Sequence, residues 1–174
     1  MASLGHAFIG MAGARLVRAT PPRAPGSAGA LLVWAALSLL PDADVIGMFA
    51  GVPYEAPWGH RGATHSLVCA AAVAIVAGLV AKTTRRAALR TTVVAFAIVA
   101  SHGLLDTLTN GGLGCALLWP FSNERYFAPW QPIPVSPIGL AYFSPYGLFV
   151  AVFEFVVFFP FFFYALWPVN EKGE

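Results

Sequence analysis

Charge is what this sequence lacks. Only 10% of its 174 residues are Asp, Glu, Lys or Arg, against 58% apolar residues and a mean hydropathy of +0.71. A water-soluble domain carries roughly 25% charged residues to cover its surface. A soluble globule is therefore excluded, and the chain is expected in a bilayer. Cysteine is scarce too: Cys69 and Cys115 form neither a CxxC pair nor a disulfide framework, and they indicate no redox compartment. No run of basic residues interleaves with aromatics and the net charge is only +2, so nucleic acid is not an expected partner. No basic residue precedes Arg15, so the opening apolar stretch lacks the basic n-region of a cleaved signal and is expected to be retained. Four or five spans of ~20 residues would use more than half of the chain, so residues 1–174 are read as a single membrane-embedded domain.

What is present is a series of apolar segments. Residues 3–18 are helix-like but short for a ~30 Å hydrocarbon core. Residues 20–29, TPPRAPGSAG, carry loop punctuation. An apolar run from Ala30 to Leu40 stops at Pro41 and is followed at once by Asp42 and Asp44. Ala63 to Ala81 gives 19 residues without a charge, and residues 87–109 form the next span. Residues 110–144 are rich in glycine, proline and aromatics. The five aromatics between Trp119 and Trp130 favour an ordered loop at the membrane interface. Pro145 to Trp167 is a phenylalanine-rich span interrupted by Glu154 and Pro160; Glu154 is read as a structural hydrogen bond near Pro160, with a bond to a neighbour across the bundle as the alternative. The expected fold class is all-α: an integral membrane bundle of four to five helices with a polar metal site at one membrane face.

Alternating the direction of five segments has a consequence for chemistry. His6, Asp42, Asp44, His60, His65, His102 and Asp106 then share one membrane face. Arg15, Arg18, Arg23, Lys82, Arg85, Arg86, Arg90 and Lys172 collect at the other. The positive-inside rule assigns the basic face to the cytoplasm, so the histidine cluster is expected on the extracytoplasmic side.

His102 and Asp106 stand i, i+4 on a helix, which stacks both side chains on one face. Asp42 and Asp44 flank Ala43, so an extended turn would point both carboxylates the same way. His60 and His65 bracket a glycine-containing turn that can fold one imidazole toward the other. Singly, each group is explained by helix capping or interfacial hydrogen bonding. Together, four imidazoles and three carboxylates can hold one or two divalent ions, because ionisable groups inside a membrane are costly unless paired or liganded. Imidazole and carboxylate without thiolate suit Zn, with Mn or Fe as alternatives. Arg61 and Arg125 are the basic residues on the same face, and a guanidinium beside a metal suits bidentate recognition of phosphate; headgroup snorkelling is the alternative for each.

The ordered set LLPDAD at 39–44, HRGATHS at 60–66, HGLLDTLTNGG at 102–112 and WPFSNERYF at 119–127, preceded by His6, resembles the YdjM-like family over roughly residues 1–143. These are LexA-regulated inner-membrane proteins predicted to be metal-dependent hydrolases. The resemblance implies a multi-pass protein of the bacterial inner membrane with a helical hydrolase fold, and carries no substrate. A looser similarity to zinc-dependent phospholipase C and single-strand nucleases lies in the order of His6, Asp42 or Asp44, His60 and His102 with Asp106; those enzymes use more histidines than this chain has.

The expected activity is metal-assisted hydrolysis of a phosphoester, with Arg61 and Arg125 in catalytic roles and seven metal ligands: His6, Asp42, Asp44, His60, His65, His102 and Asp106. Apolar walls favour a lipid or lipid-linked substrate, such as a phospholipid or polyprenyl phosphate. A non-enzymatic metal-binding or structural protein is the alternative. Metal transport is disfavoured, because residues 67–81 contain no polar group beyond Cys69.

Overall fold

The computed structural model describes residues 3–17, 27–84 and 87–167. Arg18, Arg23, Arg85, Arg86 and Lys172, placed on the basic face above, lie outside these residues, as does most of the stretch 20–29. Six α-helices are described: α1 Ser3–Leu16, α2 Ala28–Leu39, α3 Val45–Phe49, α4 Leu67–Thr83, α5 Ala88–Thr107 and α6 Pro145–Leu166. No strand occurs among the described residues; the two β contacts are isolated bridges.

Local chemistry sets the helix starts. The hydroxyls of Ser27, Ser66 and Ser144 each accept a hydrogen bond from a backbone N–H of the first turn that follows, at the heads of α2, α4 and α6. Pro41 sits in a 3-10 turn, Leu40–Asp44, that joins α2 to α3. Residues 28–49 thus act as one 22-residue apolar stretch, long enough with α5 and α6 to cross a membrane. The expected span from Ala63 begins later than the hydropathy suggests. Ala63–His65 form a separate 3-10 turn and Ser66 caps α4, which leaves a shorter apolar helix of 17 residues.

Helix α1 packs on α2, α5 and α6, and α4 packs on α5. Lipid supplies no hydrophobic drive for helix association, so close approach through small residues does that work. A Cβ at Gly10 would sit 2.4 Å from the Trp34 carbonyl oxygen, which shows how near α1 lies to α2. Helix directions follow from contacts at the two ends. His6 at the start of α1 meets Asp106 near the end of α5, and His102 meets Ser38 near the end of α2. At the opposite end, the buried Arg15 guanidinium donates to the carbonyls of Tyr164 and Trp167 and lies over the Tyr164 ring. Helices α1 and α6 therefore run parallel, while α1 opposes α2 and α4 opposes α5.

The long segment 110–143 is ordered against the site end of the bundle. Cys115 and Tyr126 exchange backbone hydrogen bonds of 3.0 and 2.9 Å, Ala116 N–H donates to the Arg61 carbonyl and Ala128 N–H to that of Thr107. Burial pushes the Cys115 thiol up to about 12, so it stays protonated beneath this cover. Phe121, Trp130, Leu140 and Phe143 remain exposed, as expected of a surface that meets lipid at the interface.

Candidate metal centre

Four elements deliver the cluster: the first turns of α1, the 3-10 turn after α2, the turn before α4, and the last turns of α5. A Cβ at Gly103 would meet the His65 carbonyl oxygen at 2.4 Å, so the bare glycine lets the 60–66 turn lie directly on α5. All seven expected ligands are buried together: His6, Asp42, Asp44, His60, His65, His102 and Asp106. They do not form one ring of equivalent donors.

Asp42, His65, His102 and Asp106 present one ligand atom each, all within 4.8 Å of one another. His102 Nε2 lies 3.3 Å from Asp42 Oδ1, while His65 Nε2 lies 3.6 Å from Asp42 Oδ1 and 3.6 Å from Asp106 Oδ2. A tetrahedral ion with bonds of about 2.0–2.1 Å has ligand-to-ligand edges of about 3.3 Å, so these three separations are near the edge length such an ion requires. Among the described residues, neither imidazole Nε2 nor either Asp42 oxygen has a hydrogen-bond partner. Buried polar atoms of this kind are rarely left so.

The tautomers of the two imidazoles follow from their other nitrogens. His102 Nδ1 stands 2.7 Å from the Ser38 carbonyl oxygen, which can only accept, so Nδ1 carries the proton and Nε2 is free to ligate when the ring is neutral. His65 Nδ1 faces Thr64 Oγ1 at 3.0 Å and Asp44 Oδ2 at 3.2 Å, while the Thr64 hydroxyl donates to Asp44 Oδ2 at 2.6 Å. Burial pulls the His65 pKa down, but Asp42 and Asp44 outweigh it and, with Asp106, push it up to about 9. The donor set therefore fits a divalent metal, with oxygen partners behind each imidazole as metal sites use.

Asp44 serves a different purpose from Asp42. Its carboxylate accepts from His60 Nδ1 at 2.6 Å, from the Arg61 backbone N–H at 3.2 Å and from Thr64. The expectation that Asp42 and Asp44 point the same way is corrected by the 3-10 turn, whose three residues per turn separate positions i and i+2 by roughly 120°. Asp42 faces His65 and His102; Asp44 faces His60 and the other edge of His65. Asp44, His60 and His65 form a second cluster able to hold an ion, although its carboxylate is already engaged. His6 stands beside the first group: Nε2 is 3.3 Å from Asp106 Oδ1, and the ring stacks on His102 at 3.7 Å.

Arg61 is 1% exposed and has φ 63, the left-handed region that non-glycine residues rarely adopt. That turn sends its side chain inward, where Nε pairs with Asp106 Oδ2 at 3.0 Å. Its NH1 donates to Thr109 Oγ1 and to the Gly111 carbonyl, both at 2.9 Å, and NH2 has no hydrogen-bond partner among the described residues. Arg125, expected beside the metal, is placed elsewhere. It donates to the carbonyls of His60, Tyr54 and Ala56 and so staples the 54–60 loop from behind. Thr64, Thr109 and the Ser38 carbonyl are functional partners that the sequence reading missed. The threonines lie inside the quoted motifs, whereas a backbone carbonyl leaves no side-chain signal.

Glu154 faces the bundle and bonds a neighbouring helix, and no hydrogen bond near Pro160 involves it among the described residues. Its Oε2 accepts from the N–H groups of Leu4 at 2.8 Å and Gly5 at 3.4 Å, closing the open end of α1 just before His6.

Comparison with known proteins places the chain in a family. The family model described as "YdjM inner membrane protein" matches residues 1–171, so the likeness extends beyond residue 143 through α6. The inner membrane protein YbcI of Escherichia coli (strain K12) is 46% identical over 120 residues, covering 68% of this chain and 69% of that protein. No solved structure matches the chain.

Proposed function

The chain belongs to the YdjM family of inner membrane proteins, and from that premise we propose that it is a metal-dependent phosphoester hydrolase. Asp42, His65, His102 and Asp106 would hold one divalent ion, zinc first, with Mn or Fe as alternatives. The observation that carries this reading is the pair of imidazoles whose Nδ1 atoms face oxygen partners while both Nε2 atoms face one Asp42 oxygen without a hydrogen bond. A second ion on Asp44, His60 and His65 would have to displace the hydrogen bonds those groups already make.

An ion held there supplies Lewis acidity and a water of lowered pKa. The chain's own residues do the rest. Arg61 neutralises Asp106 through Nε and keeps NH2 for a phosphoryl oxygen, in a water-poor site where such a donor acts strongly. His6 steadies Asp106 from its other oxygen, and Arg125 holds the loop that carries His60 and Arg61, a positioning role. Lipid phosphoesters are the substrates that such a bilayer-embedded centre meets. The site end faces outward, because Arg15, Lys82 and Arg90 lie at the opposite end.

Full burial of His102 and Asp106 favours a second reading, a closed structural metal site with four protein ligands and no open position. Purified protein separates the two by metal analysis and a screen of lipid phosphoesters. Under the hydrolase reading Arg61→Lys, which keeps a charge beside Asp106 but loses the planar fork, retains stoichiometric metal and loses turnover by roughly a hundredfold. Undiminished turnover removes Arg61 from the chemistry. Stoichiometric metal with no hydrolysis of any lipid phosphoester establishes the structural site.

A further inference from the structure

The motif at 102–112 closes on two glycines, and the Gly111 carbonyl accepts from Arg61 NH1. Gly112 is exposed, with φ 86, and a Cβ there would stand 2.7 Å from the Tyr54 hydroxyl and 3.0 Å from Arg61 NH1. The buried guanidinium thus lies one bare glycine below the surface, with the Tyr54 hydroxyl beside the same gap. Tyr54 is held there from several sides. Its carbonyl accepts from Arg125 NH2 at 2.9 Å, the Arg125 guanidinium lies 5.7 Å over its ring, and its ring meets that of His60 edge-on at 5.3 Å. Phenylalanine would serve that packing as well. The hydroxyl is what packing leaves unexplained: Tyr54 is half-buried, and its O–H donates to no described residue. Burial raises the phenol above its ordinary value, against the pull of Arg61 and the Leu113 backbone N–H, so it keeps its proton and can donate it.

We propose that Tyr54 and Arg61 form a phosphate-binding pair at this gap, and that the ligand they select is a phosphate monoester entering beside Gly112. The proposal rests on the phosphoester reading and names its substrate class. Two donors are uncommitted on this side of the centre: the Tyr54 hydroxyl and the buried Arg61 NH2, which has no partner among the described residues. Under the phosphoester reading the centre itself takes one phosphoryl oxygen, so the pair takes two more. A monoester has three unesterified oxygens and a diester has two. Only the monoester satisfies every donor, and a donor left unpaired in a bound complex is costly. Its second negative charge also strengthens both hydrogen bonds. Gly112 belongs to the segment that covers the site end of the bundle, so the phosphate arrives from the membrane–water interface rather than through the apolar helix faces.

The test measures binding by calorimetry to full-length protein in detergent with zinc added. The probes are phenylphosphonate, a non-hydrolysable mimic of a monoester, and its monomethyl ester, which has one unesterified oxygen fewer. Wild type is expected to prefer phenylphosphonate by tenfold or more. Tyr54→Phe, which keeps the ring and loses only the hydroxyl, should retain the metal content and melting temperature, weaken phenylphosphonate roughly tenfold, and bind the methyl ester almost as wild type does, so that the preference collapses. Tyr126→Phe, whose hydroxyl donates to the exposed Glu124, should behave as wild type. No binding of phenylphosphonate, an undiminished preference in Tyr54→Phe, or equal weakening of both probes each overturns the proposal. Competition by dioctanoyl phosphatidic acid and by glycerol 3-phosphate names the source: displacement at tenfold lower concentration by the lipid supports a lipid monoester, and equal displacement supports a soluble one. Tyr54-dependent preference without turnover of any phosphoester leaves the monoester site standing and removes the hydrolase reading; turnover with an undiminished preference in Tyr54→Phe does the reverse.

Discussion

At the scale of single residues, the centre is organised from the outside in. Two oxygens, the Ser38 carbonyl and the Asp44 carboxylate, set the imidazole orientations, and Thr64 ties Asp44 to His65. Partners of this kind typically change metal affinity by 10–100-fold without being ligands. Thr64→Val is therefore expected to keep one ion per chain at saturating zinc and to raise its dissociation constant by about that factor, as titration against a competing chelator would measure. Loss of all metal would instead make Thr64 a ligand. The His65 proton gives a second check. In the metal-free centre His65 stays protonated up to about pH 9, and zinc must displace that proton to reach Nε2. Apparent zinc affinity should rise by about tenfold per pH unit up to pH 9 on account of this group, and calorimetry in buffers of differing ionisation enthalpy should register its release. Affinity independent of pH between 6 and 9 contradicts the assignment of His65.

At the scale of elements, glycine sets the distances. Gly103 lets the 60–66 turn rest on α5, and a side chain there meets backbone, which has nowhere to go. Gly103→Val should push His65 away from His102 and lower both zinc occupancy and the melting temperature in detergent, while Gly29→Val, where a Cβ meets nothing within 4 Å, should change neither. The elements were largely legible in the sequence. The apolar runs Ala30–Leu40, Ala63–Ala81, 87–109 and Pro145–Trp167 announced the helices, although the Ser66 cap that delays α4 was not read, and the i, i+4 pair of His102 and Asp106 does share one helix face. The turn at 40–44 was not legible, because Pro41 is compatible with both an extended and a 3-10 turn, and the choice decides whether Asp42 and Asp44 act together or apart. Arg125 was misplaced for a similar reason: its motif and its charge say nothing about three carbonyls brought to it by a loop 65 or more residues earlier. The inward turn of Arg61 was also hidden, since a left-handed φ at an arginine has no sequence mark beyond the glycines on either side.

At the scale of the molecule, alternating directions put the start of α1, the end of α2, the start of α4 and the end of α5 together, as the alternation of the apolar segments anticipated. Accessibility in whole cells tests which side that is. Single cysteines at Trp58 and Thr84, in a background lacking Cys69 and Cys115, should respond oppositely to a membrane-impermeant thiol reagent. Position 58 should be labelled from outside and position 84 only after permeabilisation. Labelling of both from the same side would break the alternation itself.

Helices α1 and α6 are fastened at both ends, by Glu154 to the backbone of Leu4 and Gly5 and by Arg15 to the carbonyls of Tyr164 and Trp167. This pairing sets an order of events during biosynthesis. The first helix enters the membrane early, but the groups that fasten its two ends to α6 are made about 150 residues later. Until α6 arrives, α1 is positioned by α2 and α5 alone, with the N–H groups of Leu4 and Gly5 uncapped just before His6. Insertion of α6 is thus the step that caps α1 beside a centre whose candidate ligands all precede that helix in the chain.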